Sequence, residues 1–163
     1  MLLSSEFAAL DAFATWTPRP GRPDPVALLT SGTDDLLTDL LPIRWSRMSQ
    51  SVFAFFRGSA SLMADDLAAS DPTADHRSCL TVQLCGDAHI GNFGGFATAE
   101  RGHVFDVNDF DETLPGPFEW DVYRLAASVV LAGLDVGVDL ERSSKSARRA
   151  VRSYRKWMSR YAE

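Results

Sequence analysis

The sequence is short of several features, and each shortage limits what the chain can be. It has only two cysteines, Cys79 and Cys85, which is too few for a disulfide framework or a four-ligand zinc site. The longest mostly apolar run, Leu125 to Leu134, is well below the ~20 residues that cross a membrane. No basic segment precedes the apolar residues at the N-terminus, so no secretory signal is evident. We therefore expect a cytoplasmic protein without a membrane partner.

Lysine and the glycine-rich phosphate-binding motifs are also scarce. The only lysines are Lys145 and Lys156, and neither G-x-G-x-x-G nor G-x-x-x-x-G-K-[ST] occurs. A site for nucleotide phosphates would therefore need arginines as its cations, and arginine can bind phosphate through two parallel hydrogen bonds. Arg57 and Arg47 are the predicted nucleotide-binding residues, with Arg44 as a further candidate. The alternative for Arg57 is an ordinary surface arginine.

The formal net charge of −6 over 163 residues is unevenly spread. Residues 141–163 carry a local charge of +6, which leaves about −12 for residues 1–140. An acidic body does not suit a general nucleic-acid binder. With 45% apolar residues, the chain can form one domain with a hydrophobic core. We expect residues 1–163 to form that domain, with an N-terminal arm (1–25), a catalytic core (43–135) and a basic C-terminal helix (141–161).

The most informative stretch runs from Cys85 to Asn92 and reads Cys-Gly-Asp-Ala-His-Ile-Gly-Asn. Leu80 to Cys85 alternates apolar and polar residues and predicts a strand, and His103 to Asn108 predicts a returning strand. The glycines at 91, 94 and 95 indicate a relaxed loop between them. These elements should bring an aspartate, an asparagine and several carboxylates close together. The alternative is a β-hairpin whose Asp and Asn residues only make turns.

The rest of the chain is predicted to be mainly helical. Asp24-Pro25 has the pattern of a helix N-cap followed by proline at the first helical position. Trp120 to Leu134 has apolar residues at helical spacing and should be the central buried helix. An extended proline-rich arm is expected at 18–25 and a short turn at 113–118. The remaining predicted helices are Leu2–Trp16, Val26–Leu29, Asp34–Leu41, Ser59–Ala69 and Glu141–Tyr161.

The order Asp87, Asn92 and then Asp109-Phe110 resembles the catalytic loop of aminoglycoside- and choline-kinase-like enzymes. Their pattern is roughly His-Gly-Asp-x-His-x-x-Asn followed by Ile-Asp-Phe/Trp. The resemblance implies that Asp87 is the catalytic base, and that Asn92 and Asp109 hold Mg²⁺ against the phosphates of ATP. His89 matches the second histidine of the pattern and is counted with the catalytic residues. Cys85 stands where the pattern has its first histidine.

Asp106 is a rival metal ligand, because its spacing from Asn92 is closer to the usual one. We prefer Asp109 because a phenylalanine follows it. Carboxylates crowded together are costly without a cation, which supports a metal near these residues. Only the short segment 113–118 separates them from the next helix, where a protein kinase has a long activation segment. A small-molecule hydroxyl is therefore the expected acceptor.

The segment from Trp120 to Ala126 is similar to the one that opens the next helix in these kinases. There an aspartate braces the backbone of the catalytic loop, and the resemblance implies this supporting role for Asp121. The alternative for Asp121 is a carboxylate near a helix N-terminus, which the helix dipole favours.

A second resemblance covers nearly the whole chain and points to a bacterial family known as domain of unknown function 2252. Its members are usually longer, and the resemblance implies that a glycine-rich strand pair and a lysine-containing strand follow this region. The expected fold is α+β and helix-rich, like the C-terminal lobe of kinase-like enzymes but incomplete. The matching segments are Arg44–Met48, Phe53–Ala60, Cys85–Gly94 and Phe105–Arg124.

Three functional hypotheses follow. The first is a phosphotransferase that uses Mg²⁺ and ATP on a small-molecule hydroxyl. The second is a non-catalytic relative or fragment that binds a metal or a partner, for which a missing nucleotide-binding lobe and self-association are both open. The third is a metallophosphoesterase, because Gly86-Asp87-Ala88-His89 superficially resembles a Gly-Asp-x-His metal motif. Two-metal hydrolases need more metal-binding residues than this chain offers, so the third is weak.

Overall fold

The computed structural model describes residues 17–31, 38–70, 78 and 80–163. Over these residues the fold is α+β and helix-rich with small antiparallel sheets, as the sequence predicted. Short 3-10 turns occur at Thr38–Leu40 and Ile90–Asn92. The predicted helix Leu2–Trp16 and the first half of Asp34–Leu41 (residues 34–37) lie outside the described residues. The helices are α1 (Pro25–Ser31), α2 (Leu41–Met48), α3 (Val52–Arg57), α4 (Ala60–Ser70), α5 (Phe118–Asp135) and α6 (Leu140–Tyr161), and the strands are β1 (Thr81–Leu84), β2 (Phe93–Ala97), β3 (His103–Val107) and β4 (Leu114–Pro117).

The strands form two nested antiparallel pairs. β2 and β3 make a hairpin with Phe93 opposite Val107, and β1 pairs with β4 so that Leu84 lies opposite Leu114. Because the hairpin is inserted between β1 and β4, the loop after β1 and the segment before β4 meet at the same end of the β1–β4 pair. The predicted strands at 80–85 and 103–108 are confirmed within a residue of each end.

The prediction of a short turn at 113–118 was wrong, because this segment contains β4. Its two prolines, Pro115 and Pro117, lie opposite Gln83 and Thr81. Alternate residues of a strand have the same orientation towards the partner strand, so both missing N–H groups can face away from β1. Proline therefore does not exclude a strand that has a partner on one side only.

The N-terminal half is built on α1 to α4. Asp24 caps α1 by accepting from the Val26 amide at 2.8 Å, as predicted. The arm before α1 is not extended throughout as predicted, because it turns at residues 20–21, where the Arg22 amide donates to the Arg19 carbonyl at 3.1 Å. The Arg22 side chain pairs with Asp66 of α4 at 2.6 Å. The aromatic run after Ser51 forms α3, with the Ser51 hydroxyl accepting from the Ala54 amide at 3.0 Å. The buried residues of this half's core are Leu29, Met48 and Leu62.

The helices α5 and α6 pack against each other along their lengths. Gly133 of α5 permits this approach, because a side chain there would collide with the Ser143 hydroxyl of α6. The predicted helices at 120–134 and 141–161 are confirmed. However, the buried residues of α5 are Glu119, Arg124 and Ser128, whereas its predicted apolar stripe is only partly buried. No helix in the described part of the chain has the length and apolarity to cross a membrane.

Candidate active site

A glycine sets the direction of the chain as it leaves β1. Gly86 has φ +87°, and a Cβ at this position would collide with the carbonyl oxygen of Glu112. The loop that follows is therefore in direct backbone contact with the segment that leads into β4. Only glycine combines this φ with the close approach.

One face of α5 holds the loop. The Asp121 carboxylate accepts hydrogen bonds from the backbone N–H groups of Cys85 at 2.7 Å and Gly86 at 3.1 Å. Ser128, which is fully buried, accepts from the Ile90 amide at 2.9 Å. Burial raises the pKa of Asp121, and the two backbone hydrogen bonds oppose that shift. The loop backbone is thus fixed at both ends by side chains of a single helix.

Arg124, between these two residues on α5, binds the side chain of Asp87. Its Nε donates to Asp87 Oδ1 at 2.5 Å, and the arginine is only 2% exposed. Arg124 was not among the site residues predicted from the sequence. Its position three residues after Asp121 was a usable signal, because residues at this spacing lie on the same helix face.

His89 is part of the loop, and its side chain is buried, with the residue 3% exposed. Its Nε2 is 3.5 Å from Asp87 Oδ2, and its ring meets the Phe53 ring edge-on with centroids 6.3 Å apart. Burial lowers the pKa of His89; Asp87 opposes this shift, and Arg57 and Arg124 add to it. The imidazole is therefore held mainly in its neutral form beside the Asp87 carboxylate.

Asn92 is buried, and its amide is oriented by the loop itself. Its Nδ2 donates to the Asp87 carbonyl at 2.9 Å, and its backbone carbonyl accepts from the Asn108 amide at 3.0 Å. The structure therefore brings Asp87, His89 and Asn92 together and sets the end of β3 beside them. Asp109 is the next residue after Asn108, so its backbone is also close to the loop.

Asp109 lies just after β3 and Asp106 lies within it. Both are candidate metal ligands, and both are exposed. The Asp109 carbonyl accepts from the Cys85 thiol at 3.6 Å, so its backbone lies against the loop, while its carboxylate accepts from the Asp111 amide at 3.2 Å. The Asp106 carboxylate accepts from the Val107 amide at 2.7 Å. These short-range hydrogen bonds are typical of Asp residues in turns, which was the alternative to a metal-binding role. Across the described residues, no three His, Cys, Asp or Glu side chains form a metal-binding group.

The two predicted nucleotide-binding arginines have different surroundings. Arg57, at the end of α3, lies beside the loop, because its Nε is 3.7 Å from the point where a Gly91 Cβ would be. Arg47 is exposed on α2 and, within the described ranges, its side chain makes no hydrogen bond or ion pair. The further candidate, Arg44, donates to the Gly58 carbonyl at 3.1 Å. Arg57 is thus the arginine of these three that adjoins the loop.

The fold and this loop define an α+β domain in which a helix holds a polar loop in place. The chain's family follows from a sequence comparison, in which residues 36–163 match the profile described as "Uncharacterized protein conserved in bacteria (DUF2252)". The chain belongs to this family, and that part of the predicted resemblance is confirmed. No curated protein and no solved structure matched the chain in the corresponding searches.

Proposed function

We propose that the chain is a kinase-like phosphotransferase domain that carries the metal ligands and the base, and that it transfers a phosphoryl group from Mg²⁺-ATP to a small-molecule hydroxyl. One observation carries the proposal. The buried Asn92 amide is fixed on the Asp87 carbonyl, and the backbone of Asp109 adjoins the same loop at Cys85. A base, a neutral amide and a second carboxylate are the groups that this chemistry requires.

The donor set fits Mg²⁺, which prefers hard oxygen ligands and keeps several waters. Asn92 uses its amide nitrogen on the Asp87 carbonyl, so its Oδ1 is the atom that can bind a cation. Asp109 is exposed and follows Asn108, whose amide binds the Asn92 carbonyl at 3.0 Å. In this proposal Asn92 and Asp109 hold the ion and Asp106 is the reserve ligand. The bound ion would neutralise charge on the ATP phosphates.

Asp87 acts as the base in this proposal. Its side chain is 15% exposed, and Arg124 engages Oδ1 while Oδ2 faces His89. The carboxylate is therefore held in one orientation, which favours attack by a correctly placed hydroxyl. His89 assists by limiting the rotation of the Asp87 carboxylate. Arg57 supplies the positive charge for the phosphates at the edge of the loop.

The second candidate function is a non-catalytic or incomplete kinase-like domain. Two observations favour it. The Asp87 carboxylate is already paired with Arg124, and the C-terminal end of α6 exposes Trp157 at 46% and Tyr161 at 76%. Exposed aromatic residues on one helix end are suited to contact with a further lobe or another chain. On this reading the chain binds a metal or a partner and transfers nothing.

Calorimetric titration with Mg²⁺-ATP separates the two candidates. We expect the wild-type chain to bind, Asp109→Asn to lose binding, and Asp106→Asn, the same change three residues earlier in β3, to retain it. Asp87→Asn should bind Mg²⁺-ATP but transfer no phosphoryl group to any hydroxyl acceptor. If a folded wild-type chain does not bind, the first candidate is wrong for this chain. Normal turnover by Asp87→Asn would exclude Asp87 as the base.

A further inference from the structure

The loop and the end of α3 meet at the guanidinium group of Arg124. Its Nε donates to Asp87 Oδ1 at 2.5 Å, and its Nη2 donates to the carbonyl oxygen of Phe56 at 2.8 Å. The guanidinium also lies over the Phe56 ring, 4.3 Å from the ring centroid. A single buried side chain therefore binds both the loop carboxylate and the last peptide groups of α3.

That peptide group matters because it is the one that joins Phe56 to Arg57. The Phe56 carbonyl is covalently bonded to the backbone nitrogen of Arg57, whose side chain adjoins the loop at Gly91. Anything that moves the end of α3 relative to the loop must therefore strain the hydrogen bonds of Arg124. Guanidinium is planar and rigid, so its two donors keep a fixed spacing.

We infer that Arg124 is a positioning residue that couples α3 to the loop, so that the placement of Arg57 and the orientation of the Asp87 carboxylate depend on each other. The inference rests on the proposed function for its purpose, which is to set the distance between the phosphate-binding cation and the base. Its mechanical part, the coupling of α3 to the loop, does not require nucleotide. Lysine at this position could reach Asp87 or the Phe56 carbonyl, but its single ammonium group does not span both.

Two backbone amides report on the two ends of this coupling. The Ser59 amide donates to the Phe56 carbonyl at 3.3 Å, and the His89 amide donates to the Asp87 carbonyl at 2.8 Å. Hydrogen exchange of these amides, measured by NMR without nucleotide or metal, shows how firmly each end is held. For Arg124→Lys we expect both amides to exchange about tenfold faster or more, because a hydrogen bond to a charged group is lost.

The decisive comparison changes one end of Arg124 and measures the other. Asp87→Asn should speed exchange at Ser59 in the chain that has Arg124, and should have no further effect there in the Arg124→Lys background. Gly133→Ala is the control, because it perturbs the α5–α6 contact on the same helix but not the loop. It should not speed exchange at Ser59 selectively. Unchanged Ser59 exchange in Asp87→Asn would overturn the inference, even if Arg124→Lys does not fold.

A second arm connects the coupling to the proposed site. The Nε–H resonance of Arg124 should shift when Mg²⁺-ATP is added to the wild-type chain, and this shift should be lost in Arg57→Ala. A purely structural arginine would not show this dependence, so a shift that persists in Arg57→Ala refutes the coupling to Arg57. If the wild-type chain binds no Mg²⁺-ATP, the proposed function fails, and the exchange experiment still decides the coupling.

Discussion

Two glycines with nearly the same φ angle allow the contact between the loop and Glu112 to be measured. Gly86 has φ +87° and Gly137 has φ +81°. A Cβ at Gly86 would collide with the Glu112 carbonyl oxygen, whereas no atom of the described residues lies within 4 Å of a Cβ at Gly137. Alanine at either position brings the strain of a positive φ, and the steric collision occurs at Gly86. The difference between the two variants therefore isolates the loop–Glu112 contact.

The expected magnitudes follow from these components. A left-handed conformation costs a non-glycine residue about 1–2 kcal/mol, and replacing glycine reduces the entropy of the unfolded chain by up to about 1 kcal/mol in compensation. Gly137→Ala should therefore cost about 0.5–1 kcal/mol. Overpacking against backbone adds about 1–3 kcal/mol, so Gly86→Ala should cost about 1.5–4 kcal/mol. At roughly 2–4 °C per kcal/mol for a chain of this size, Tm should fall by roughly 3–16 °C for Gly86→Ala and roughly 1–4 °C for Gly137→Ala.

Thermal unfolding followed by circular dichroism, without metal, provides the measurement. Gly86→Ala should also shift the amide NMR signals of residues 85–92 in the folded state, whereas Gly137→Ala should leave them unchanged. Equal Tm values for the two variants would refute the argument, because they would mean that the loop and Glu112 can separate at no cost.

Three further predictions concern the same loop. Asp121→Asn should lower Tm, because it leaves one loop N–H unpaired at a cost of about 1–3 kcal/mol. The control, Asp135→Asn at the exposed C-terminal end of α5, should be neutral or slightly stabilising. Equal Tm values for the two variants would contradict this prediction. Because the pKa of His89 is lowered in the folded state, its imidazole takes up a proton at a higher pH in the unfolded chain than in the folded chain. Stability should therefore fall as pH drops below about 6.5, and His89→Gln should weaken this dependence in urea titrations with EDTA; an unchanged slope would refute it. Burial, with Asp121 contributing, raises the pKa of Cys85 to about 11, so its alkylation by iodoacetamide at pH 7.5 should be slow until urea unfolds the chain, and rapid alkylation of the folded chain would contradict this.

Elements with a local periodic signal were predictable from the sequence. The alternating residues before Cys85 predicted β1, and the helical spacing after Trp120 predicted α5. The Asp24-Pro25 pair predicted the cap of α1. In each case the residues that determine the element lie within a few positions of one another, so the sequence alone contains the necessary information.

Features that depend on distant partners were not predicted. The aromatic run Val52 to Phe56 gives no clear period and forms α3, and the prolines of β4 concealed a strand that exists because β1 pairs with it. The polar buried face of α5 was expected to be apolar. The spacing of Arg124 from Asp121 placed both residues on one helix face, but its partner Asp87 lies 37 positions back in the sequence. The loop motif was therefore enough to predict the site from the sequence. Identifying all the residues that hold the loop in place required the tertiary structure.

The hydrogen bonds between α5 and the loop limit where residues can be inserted or deleted in this chain. Positions 121, 124 and 128 of α5 bind loop positions 85–86, 87 and 90 in the same order. A helix advances 1.5 Å per residue, so these anchors span about 10 Å and the loop must match that distance. One residue inserted between 85 and 90 would shift every later loop position away from its hydrogen-bond partner on α5. The exposed connection between β2 and β3, residues 98–102, has no such template, so insertions and deletions should be tolerated there and excluded from the loop.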